Sequence, residues 1–247
     1  MSEQEQSAVP TAAMLVIGDE ILSGRTRDSN MHHLAQELTR HGIVLKEARM
    51  VADDTAAIVA AVNALRAAYD HVFTSGGIGP THDDITADAI AAAFGVTIGV
   101  RDDARAILAA HYATTGTELN EARLRMARIP DGAVLIDNPV SKAPGFSLGN
   151  VHVMAGVPNI FQAMVASVLP TLTGGDPLLS QSLRVMRGEG EIAKPLGELA
   201  AEFPDLSFGS YPFVRDGVYG TNLVIRGTDP ARLDLAMARL TAAVAPA

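Results

Sequence analysis

The stretch that decides the fold is Thr74-Ser75-Gly76-Gly77-Ile78-Gly79-Pro80-Thr81-His82-Asp83-Asp84-Ile85-Thr86. It follows a short β-branched and aromatic segment, residues 71–73, and leads into an alanine-rich helical pattern over residues 87–94. Glycines let a backbone approach a ligand closely, and the free N–H groups at a helix start attract anions. A strand, a glycine turn and a helix start therefore predict a phosphate-binding site.

The same turn carries two adjacent carboxylates, Asp83 and Asp84, which would repel a phosphate. A divalent cation that bridges carboxylate and phosphate oxygens would remove this conflict, so the turn favours a metal-assisted phosphate or nucleotide site. The turn is not a Walker loop and lacks the spacing of the dinucleotide fingerprint. The alternative is a tight surface loop in which Asp84 or Thr86 only caps the helix.

Composition excludes several classes of function. The chain has 247 residues, a net charge of −9 and no cysteine. The absence of a basic cluster argues against a nucleic-acid partner, and the absence of cysteine excludes disulfides and thiolate chemistry. No apolar run reaches the roughly 18 residues that a membrane span needs. Residues 1–11 are polar and acidic, without the features of a signal peptide, so we expect a disordered tail, no membrane association and a cytoplasmic protein.

Strand and helix patterns alternate through residues 12–173, which predicts βαβ units and a doubly wound, three-layer α/β domain. The predicted strands are residues 12–17, 43–51, 71–73 and 133–136, with a hairpin over 146–154, and the predicted helices are 29–40, about 55–69, 87–94, 103–115, 118–127 and 158–172. After a linker at residues 173–177 the order changes to βαββα. Residues 178–247 are therefore predicted to form a separate, small α+β domain of the split-βαβ type.

The first three predicted strands all end in carboxylates: Asp19 and Glu20, Asp53 and Asp54, and Asp83 and Asp84. In open parallel sheets ligands bind beyond the carboxyl ends of the strands, so these acids are expected at one edge. Hard oxygen ligands favour Mg²⁺, Mn²⁺ or a similar ion. Each acidic pair could instead be a helix cap or a solvated surface group. Lys142, the cation of the irregular loop 138–145, could neutralise a phosphate or simply face solvent.

Several motifs in order resemble the CinA-like (competence/damage-inducible protein A) family. The residues that carry this resemblance are Gly18–Gly24 with Asp28-Ser29-Asn30, the whole 74–86 run, Asn138-Pro139 with Ala143–Phe146, and Met154–Pro158. The N-terminal part resembles the MoaB/Mog molybdopterin-binding domain, which also occurs in eukaryotic FAD synthases. Residues 180–245 resemble the small second domain of CinA-like proteins. The chain departs from the family at Ser141, where glycine is usual, and at Ile160-Phe161, where a Glu-Met pair is usual.

The resemblance implies roles for particular residues. It makes Asp53 and Asp84 the candidate catalytic acids, and it implies a divalent metal (Mg²⁺, Mn²⁺ or Co²⁺), with molybdopterin as a further ligand. With the acidic strand ends, the candidate metal ligands are Asp19, Glu20 and Asp84. The candidate phosphate- and nucleotide-binding residues are Gly18, Ser75, Gly76, Gly77, Gly79, Thr81, Thr86, Asn138, Lys142 and Gly145. Mog-like domains commonly associate, so a homodimer or homotrimer is expected.

Three functions remain open at this point. Water as the nucleophile gives a metal-dependent pyrophosphatase acting on ADP-ribose-type or FAD-like substrates, and we expect this activity because the two-domain resemblance is to CinA-like proteins. The terminal phosphate of molybdopterin as the nucleophile gives an adenylyltransferase. The third function is a pterin- or nucleotide-binding module without turnover. The chain ends at Ala247, so the nicotinamide-nucleotide deamidase activity of full-length CinA proteins is not expected.

Overall fold

A computed structural model describes residues 9–215 and 217–245. The chain divides into two compact units between Gly175 and Asp176. Most of the predicted tail, residues 1–8, lies outside the described residues. Thr11, at the end of that predicted tail, belongs instead to the first strand, where its N–H and Oγ1 donate to Asp70 Oδ2 at 2.8 and 2.7 Å. Among the described residues, no helix is both long and apolar enough to cross a membrane.

A six-stranded sheet forms the centre of the first unit, in the order β2-β1-β3-β8-β7-β6. The first four strands in that order run parallel, β7 pairs antiparallel with β8, and β6 pairs antiparallel with β7. The strands of the unit are β1 (Thr11–Ile17), β2 (Val44–Val51), β3 (His71–Ser75), β4 (Ile98–Val100), β5 (Arg128–Pro130), β6 (Val134–Ile136), β7 (Gly145–Leu148) and β8 (Val151–Met154). Its helices are α1 (Asp19–Leu22), α2 (Asn30–Arg40), α3 (Thr55–Ala68), α4 (Thr86–Phe94), α5 (Asp102–Thr115), α6 (Glu121–Leu124) and α7 (Pro158–Val168).

The sheet is buried on both faces, which confirms the three-layer prediction. Successive residues of a strand point to opposite faces. Accordingly Ala13, Leu15 and Ile17 of β1 pack in one hydrophobic core with α3 and α4, whereas Ala12, Met14 and Val16 pack in a second core with α2 and α7. The near-continuous apolar run of β1 is the pattern expected of a strand that is covered on both sides.

One predicted helix was wrong, and one pair of short strands was missed. The helix expected over residues 118–127 is only α6, followed by a turn of 3₁₀-helix at Arg125–Ala127, because the Asn120 side chain caps a new helix start by accepting from the Arg123 N–H. The antiparallel pair β4 and β5 was not predicted. Each of these strands has three residues, which is too few to show an alternating pattern.

The second unit is a split βαβ arrangement, as predicted. Its three-stranded sheet has the order β10-β11-β9, with β11 antiparallel to both neighbours. Its elements are β9 (Leu179–Val185), α8 (Glu189–Glu202), β10 (Ser207–Arg215), β11 (Val218–Gly227) and α9 (Pro230–Ala243). Leu199, Leu223 and Leu240 belong to a separate hydrophobic core that the two helices form with the sheet.

A buried histidine lies within the first unit's sheet. His152 is 4% exposed, its Nδ1 lies 2.8 Å from Ser147 Oγ, and its Nε2 lies 3.4 Å from His71 Nδ1. Burial, together with a smaller effect of the nearby His71, lowers the pKa of His152 to about 4. The neutral imidazole is therefore part of the folded state.

This histidine predicts an acid-sensitive fold. The pKa of His152 is lower in the folded chain than in the unfolded chain, so the unfolded state binds the proton first and stability falls as the pH drops below about 6.5. We expect wild type to lose about 2–3 kcal/mol from this group between pH 7.5 and pH 4.5. Denaturant unfolding of His152→Gln should show a smaller decrease in the free energy of unfolding between pH 7.5 and pH 4.5 than wild type shows. His82→Gln, at a fully exposed loop position, is the control. An unchanged pH dependence in His152→Gln would contradict this account.

Candidate functional site

The candidate site lies beyond the carboxyl ends of the parallel strands. Because β2, β1, β3 and β8 run parallel, their following loops meet at one edge of the sheet. Backbone hydrogen bonds join these loops: Gly18 N–H donates to Val51 O at 3.1 Å, and Gly76 N–H donates to Met154 O at 3.2 Å. Four chain segments that are distant in sequence thus form one rim.

The glycine turn, which we define as residues 76–79, needs its first two glycines for steric reasons. Gly76 has φ 110° and a Cβ there would lie 2.2 Å from Ile17 O. Gly77 has φ 68° and a Cβ there would lie 2.1 Å from Thr86 Oγ1. Both values of φ are unfavourable for residues with a side chain. The close approach between the turn, β1 and the start of α4 excludes any larger residue.

Thr86 clamps the glycine turn to the start of α4. This buried residue donates from Oγ1 to Gly76 O and from its N–H to Gly77 O, both at 2.9 Å. The hydroxyl was a candidate phosphate contact, but the structure commits it to the backbone of the turn. Its role here is to hold the turn in shape.

The clamp leaves three N–H groups of the turn available. Within the described part of the chain, the N–H groups of Gly77, Ile78 and Gly79 donate to no protein acceptor. Consecutive free N–H groups beside a helix start form a concavity that attracts anions. This arrangement is the one that the sequence predicted for a phosphate.

Asp84 closes the loop beyond the turn. Its Oδ2 accepts hydrogen bonds from the N–H and Oγ1 of Thr81, at 2.8 and 2.6 Å. The carboxylate packs against Gly79, where a Cβ would lie 2.7 Å from Asp84 Oδ2. Only glycine at position 79 lets the carboxylate come this close to the turn. Asp84 is therefore fixed beside the free N–H groups, although Thr81 uses one of its oxygens.

Two clefts lie at this edge of the sheet, one lined by the turn and the other by Ser75, which precedes the turn. The first, the Arg125 cleft, contains Asp84 and lies between the turn, the start of α4 and the 3₁₀ segment. It is lined by Gly77, Ile78, Gly79, Asp84, Ala87, Asp88, Arg125, Met126, Arg128, Ile129, Pro144 and Phe146. The second, the Asn30 cleft, lies between β1, the loop before α2 and the segment after β8. It is lined by Val16, Ile17, Glu20, Ile21, Thr26, Arg27, Asp28, Ser29, Asn30, Ser75, Gly156 and Pro158.

Asn30 is a site residue to which the sequence analysis gave no role. It is 4% exposed and its Nδ2 donates to Ser75 Oγ and to Gly156 O, both at 2.8 Å. The carbonyl of Gly156 can only accept, which fixes the orientation of the amide. The remaining oxygen, Oδ1, is buried without a partner among the described residues. The motif Asp28-Ser29-Asn30 was part of the family resemblance, and this was the only signal in the sequence.

Asp53 joins the acids of the first two strand ends. Its Oδ2 accepts from the Asp19 N–H at 2.9 Å. Partial burial raises the pKa of Asp53, and the nearby charges of Asp19, Glu20 and Asp83 also raise it, whereas the Asp19 N–H opposes them. Acids from three strand ends are therefore close enough to interact, as expected at one edge of the sheet. They do not line one cleft, because Asp84 lines the Arg125 cleft, Glu20 lines the Asn30 cleft, and Asp53 lines neither. Asp54, by contrast, caps α3 by accepting from the Ala57 N–H.

The acids do not form a ready-made metal cage. Among the described residues, no group of three or more histidine, aspartate or glutamate side chains is arranged to hold a metal ion. Mg²⁺ is usually bound through one or two carboxylates together with substrate phosphates and water. The carboxylate repulsion at Asp53 fits such a cation, which the substrate would help to hold. The metal itself, and its predicted ligands Asp19, Glu20 and Asp84, remain predictions.

The repulsion at Asp53 predicts a trade-off between stability and function. Asp53→Asn keeps an oxygen that can accept from the Asp19 N–H and removes the disfavoured charge. We expect the free energy of unfolding of the variant at pH 7 to be about 0.5–1 kcal/mol higher than that of wild type. Because the pKa of Asp53 is raised in the fold, the advantage should shrink as the pH falls through that pKa. Denaturant unfolding of both proteins at pH 7 and pH 4 measures this difference in stability. A variant that is less stable than wild type at pH 7 would contradict the prediction.

Several other predicted binding residues have structural roles here. Asn138 is 2% exposed, and its amide bonds to Ser141, Val140 and Ala143 of its own loop. A Cβ at Gly145 would lie 2.4 Å from Val153 O, so this glycine permits strand packing within the sheet. The N–H of Gly18 is used by β2. Asn138, Gly145 and Gly18 therefore have structural roles, and the structure directs none of their free groups at a phosphate.

Lys142 lies at an exposed position in the loop and lines neither cleft. It has φ 62°, and its N–H donates to Asn138 O at 3.0 Å. A positive φ is unusual for a residue with a side chain, and it lets the loop turn sharply here. The solvent-facing alternative describes this lysine better than the phosphate contact.

Comparison with known proteins agrees with the geometry. Residues 13–174 match the family described as "Probable molybdopterin binding domain", and residues 177–247 match "FAD synthase, middle domain". The chain belongs to the molybdopterin-binding-domain family. The match includes the glycine turn and all residues that line the two clefts.

Individual relatives have names of two kinds, FAD synthase and CinA-like protein. A "Probable FAD synthase" of Caenorhabditis elegans is 33% identical over 240 residues, covering 87% of this chain and 46% of that protein. A "CinA-like protein" of Desulfosudis oleivorans is 33% identical over 209 residues, covering 80% of this chain and 51% of that protein. This chain thus spans about half the length of these relatives.

A solved structure supports the fold assignment. The protein CinA from Thermoplasma acidophilum, described as having unknown function, superposes with a TM-score of 0.61 at 33% sequence identity. The match covers 66% of this chain and 98% of that one. The α/β sheet of the first unit and the smaller second unit seen in the structure agree with the predicted fold class.

Proposed function

We propose that this CinA-like chain is a metal-dependent nucleotide pyrophosphatase that cleaves ADP-ribose-type substrates. The observation that carries the proposal is the row of free N–H groups at Gly77, Ile78 and Gly79, which line the Arg125 cleft at the carboxyl edge of the sheet. Such a row suits a phosphate.

The chain's own groups suggest how the reaction would proceed. The turn would hold one phosphoryl group and stabilise the charge that develops on it during in-line attack by water. Asp53, whose pKa is raised, is suited to accept a proton from that water. Asp84 is fixed beside the turn and would hold a cation against the phosphate. The bound metal would supply neutralisation of the phosphate charge and polarisation of the phosphorus centre.

Asn30 favours a ligand that carries hydrogen-bond donors. Its buried Oδ1 lacks a donor, and the neighbouring Glu20 and Asp28 also line the Asn30 cleft. A ribose hydroxyl or an exocyclic amine would supply the missing donor, because all of these oxygens accept. Both groups occur in ADP-ribose, and FAD carries them as well.

A substrate panel tests the proposal. Purified protein would be incubated with ADP-ribose, FAD, NAD or ATP in the presence of Mg²⁺, Mn²⁺ or Co²⁺, without pterin. We expect metal-dependent release of AMP from ADP-ribose, and chelation with EDTA should abolish it. If the protein released no AMP from ADP-ribose, FAD or NAD with any of these metals, that result would contradict the proposed pyrophosphatase activity.

A molybdopterin adenylyltransferase is the second candidate, and the match of residues 13–174 to a probable molybdopterin-binding domain favours it. In that reaction the pterin phosphate replaces water as the nucleophile. Adenylylated pterin and pyrophosphate would then form from ATP only when the pterin is present, and no free AMP would be released. Tight pterin or nucleotide binding without either product would indicate a binding module.

A further inference from the structure

Arg125 lies in the 3₁₀ segment after α6, a region that the sequence analysis assigned to an ordinary helix. The residue lines the Arg125 cleft together with the three glycine-turn residues that have free N–H groups. It reaches this cleft from a segment about 45 positions further along the chain than the turn. No sequence motif associates the two.

The guanidinium is only partly satisfied by the protein. One Nη donates to Asp84 O at 3.2 Å, which ties the side chain to the loop that carries the candidate catalytic acid. The Nε is buried and has no acceptor among the described residues. A buried donor without an acceptor is costly, so an unpaired one that lines a cleft indicates a ligand that accepts.

The charged side chains of the Arg125 cleft also indicate an anionic ligand. Its other arginine, Arg128, is paired with Asp88 by two hydrogen bonds of 3.0 and 2.6 Å, which neutralises it. Arg125 forms no ion pair within the described part of the chain. It is therefore the cation of the cleft that remains for an anion, and it lies where the carboxylate of Asp84 would otherwise repel one.

We propose that Arg125 binds a phosphoryl oxygen of the substrate alongside the N–H groups of the glycine turn. The inference rests on the proposed function, and it names a binding residue for the same reaction. Guanidinium presents planar N–H donors that match phosphate oxygens, and such contacts are charge-assisted.

Equilibrium binding tests this contact without relying on turnover. Isothermal titration with inorganic pyrophosphate in EDTA would compare wild type with Arg125→Gln, Arg125→Lys and Arg123→Gln. Arg123 is the matched control, because it lies two residues away, packs its guanidinium over Tyr112 and lines neither cleft. We expect Arg125→Gln to weaken pyrophosphate binding by about tenfold or more, Arg125→Lys to retain part of the affinity, and Arg123→Gln to match wild type.

Salt dependence separates a direct contact from a merely structural role. A charged contact is screened by salt, so wild-type affinity should fall more steeply with NaCl concentration than that of Arg125→Gln. If Arg125 only braced the loop through Asp84 O, the two proteins would show equal salt slopes, and the proposal would be overturned. If Arg125→Gln does not fold, Arg125→Lys carries the test, and wild-type affinity in that variant would overturn the proposal.

The failure of this inference differs from the failure of the proposed function. Pyrophosphate affinity that is unchanged in folded Arg125→Gln overturns the contact, even if wild type releases AMP from ADP-ribose. Affinity that falls as expected supports the contact, even if wild type releases no AMP, in which case the pyrophosphatase activity alone is rejected.

Discussion

Asp84→Asn is expected to lower the metal-dependent turnover of ADP-ribose by about 100-fold or more, in line with other single electrostatic groups in active sites. The amide keeps the shape that packs against Gly79 and one oxygen for the Thr81 contacts. It removes the charge that would hold a cation against the phosphate. Metal affinity should fall with turnover, whereas nucleotide binding through the free N–H groups of the turn should largely survive.

Steady-state AMP release and metal titration measure this effect. Asp53→Asn should lower turnover to a similar degree, because it removes the acid suited to accept a proton from water. Asp103→Asn is the control. Its carboxylate forms an exposed pair with Arg101 and is not among the acids that act on Asp53, so turnover should be unchanged. Full metal-dependent turnover in Asp84→Asn would refute the role given to this residue.

Gly77→Ala is expected to destabilise the first unit by about 2–5 kcal/mol. An alanine at φ 68° costs roughly 1–2 kcal/mol in backbone strain. The added Cβ would also meet Thr86 Oγ1 at 2.1 Å, in a buried clamp that cannot easily move, and such overpacking costs about 1–3 kcal/mol. Denaturant unfolding measures the total.

Gly95→Ala separates the two contributions. Gly95 ends α4 with φ 67°, almost the same as Gly77, but a Cβ there has no heavy atom within 4 Å. It should therefore cost only the backbone strain. The difference between the two variants reports how tightly Thr86 holds the turn. Equal losses in both variants would show that the clamp contributes nothing.

The fold was largely predictable because its signals are local and regular. The apolar run of β1 and the spacing of Ile58, Val62 and Leu65 in α3 are both explained by burial against the sheet. The carboxyl-edge rule then placed Asp19, Glu20 and Asp53 near one another, which Asp53's hydrogen bond from Asp19 N–H bears out. Elements of three or four residues, such as β4, β5 and α6, were missed or misjudged because they are too short for periodicity.

The individual contacts of the site were less predictable. Asn138 and Thr86 looked like ligand contacts by residue type, but their polar atoms are committed to neighbouring backbone. Which acceptor takes a donor depends on three-dimensional packing, and a linear motif does not encode it. Conversely, Asn30 and Arg125 stand out only through unpaired buried atoms. Such atoms become visible once the chain is folded.

The most direct test of the central claim is hydrolysis of ADP-ribose in H₂¹⁸O with Mg²⁺ and no pterin, followed by ³¹P NMR and mass spectrometry. In-line attack by water on one phosphorus predicts AMP and ribose 5-phosphate in equal amounts, with one ¹⁸O atom from solvent in the phosphate of one product. The same reaction with Asp84→Asn should be at least about 100-fold slower. Intact ADP-ribose after prolonged incubation of wild type with metal would contradict the account.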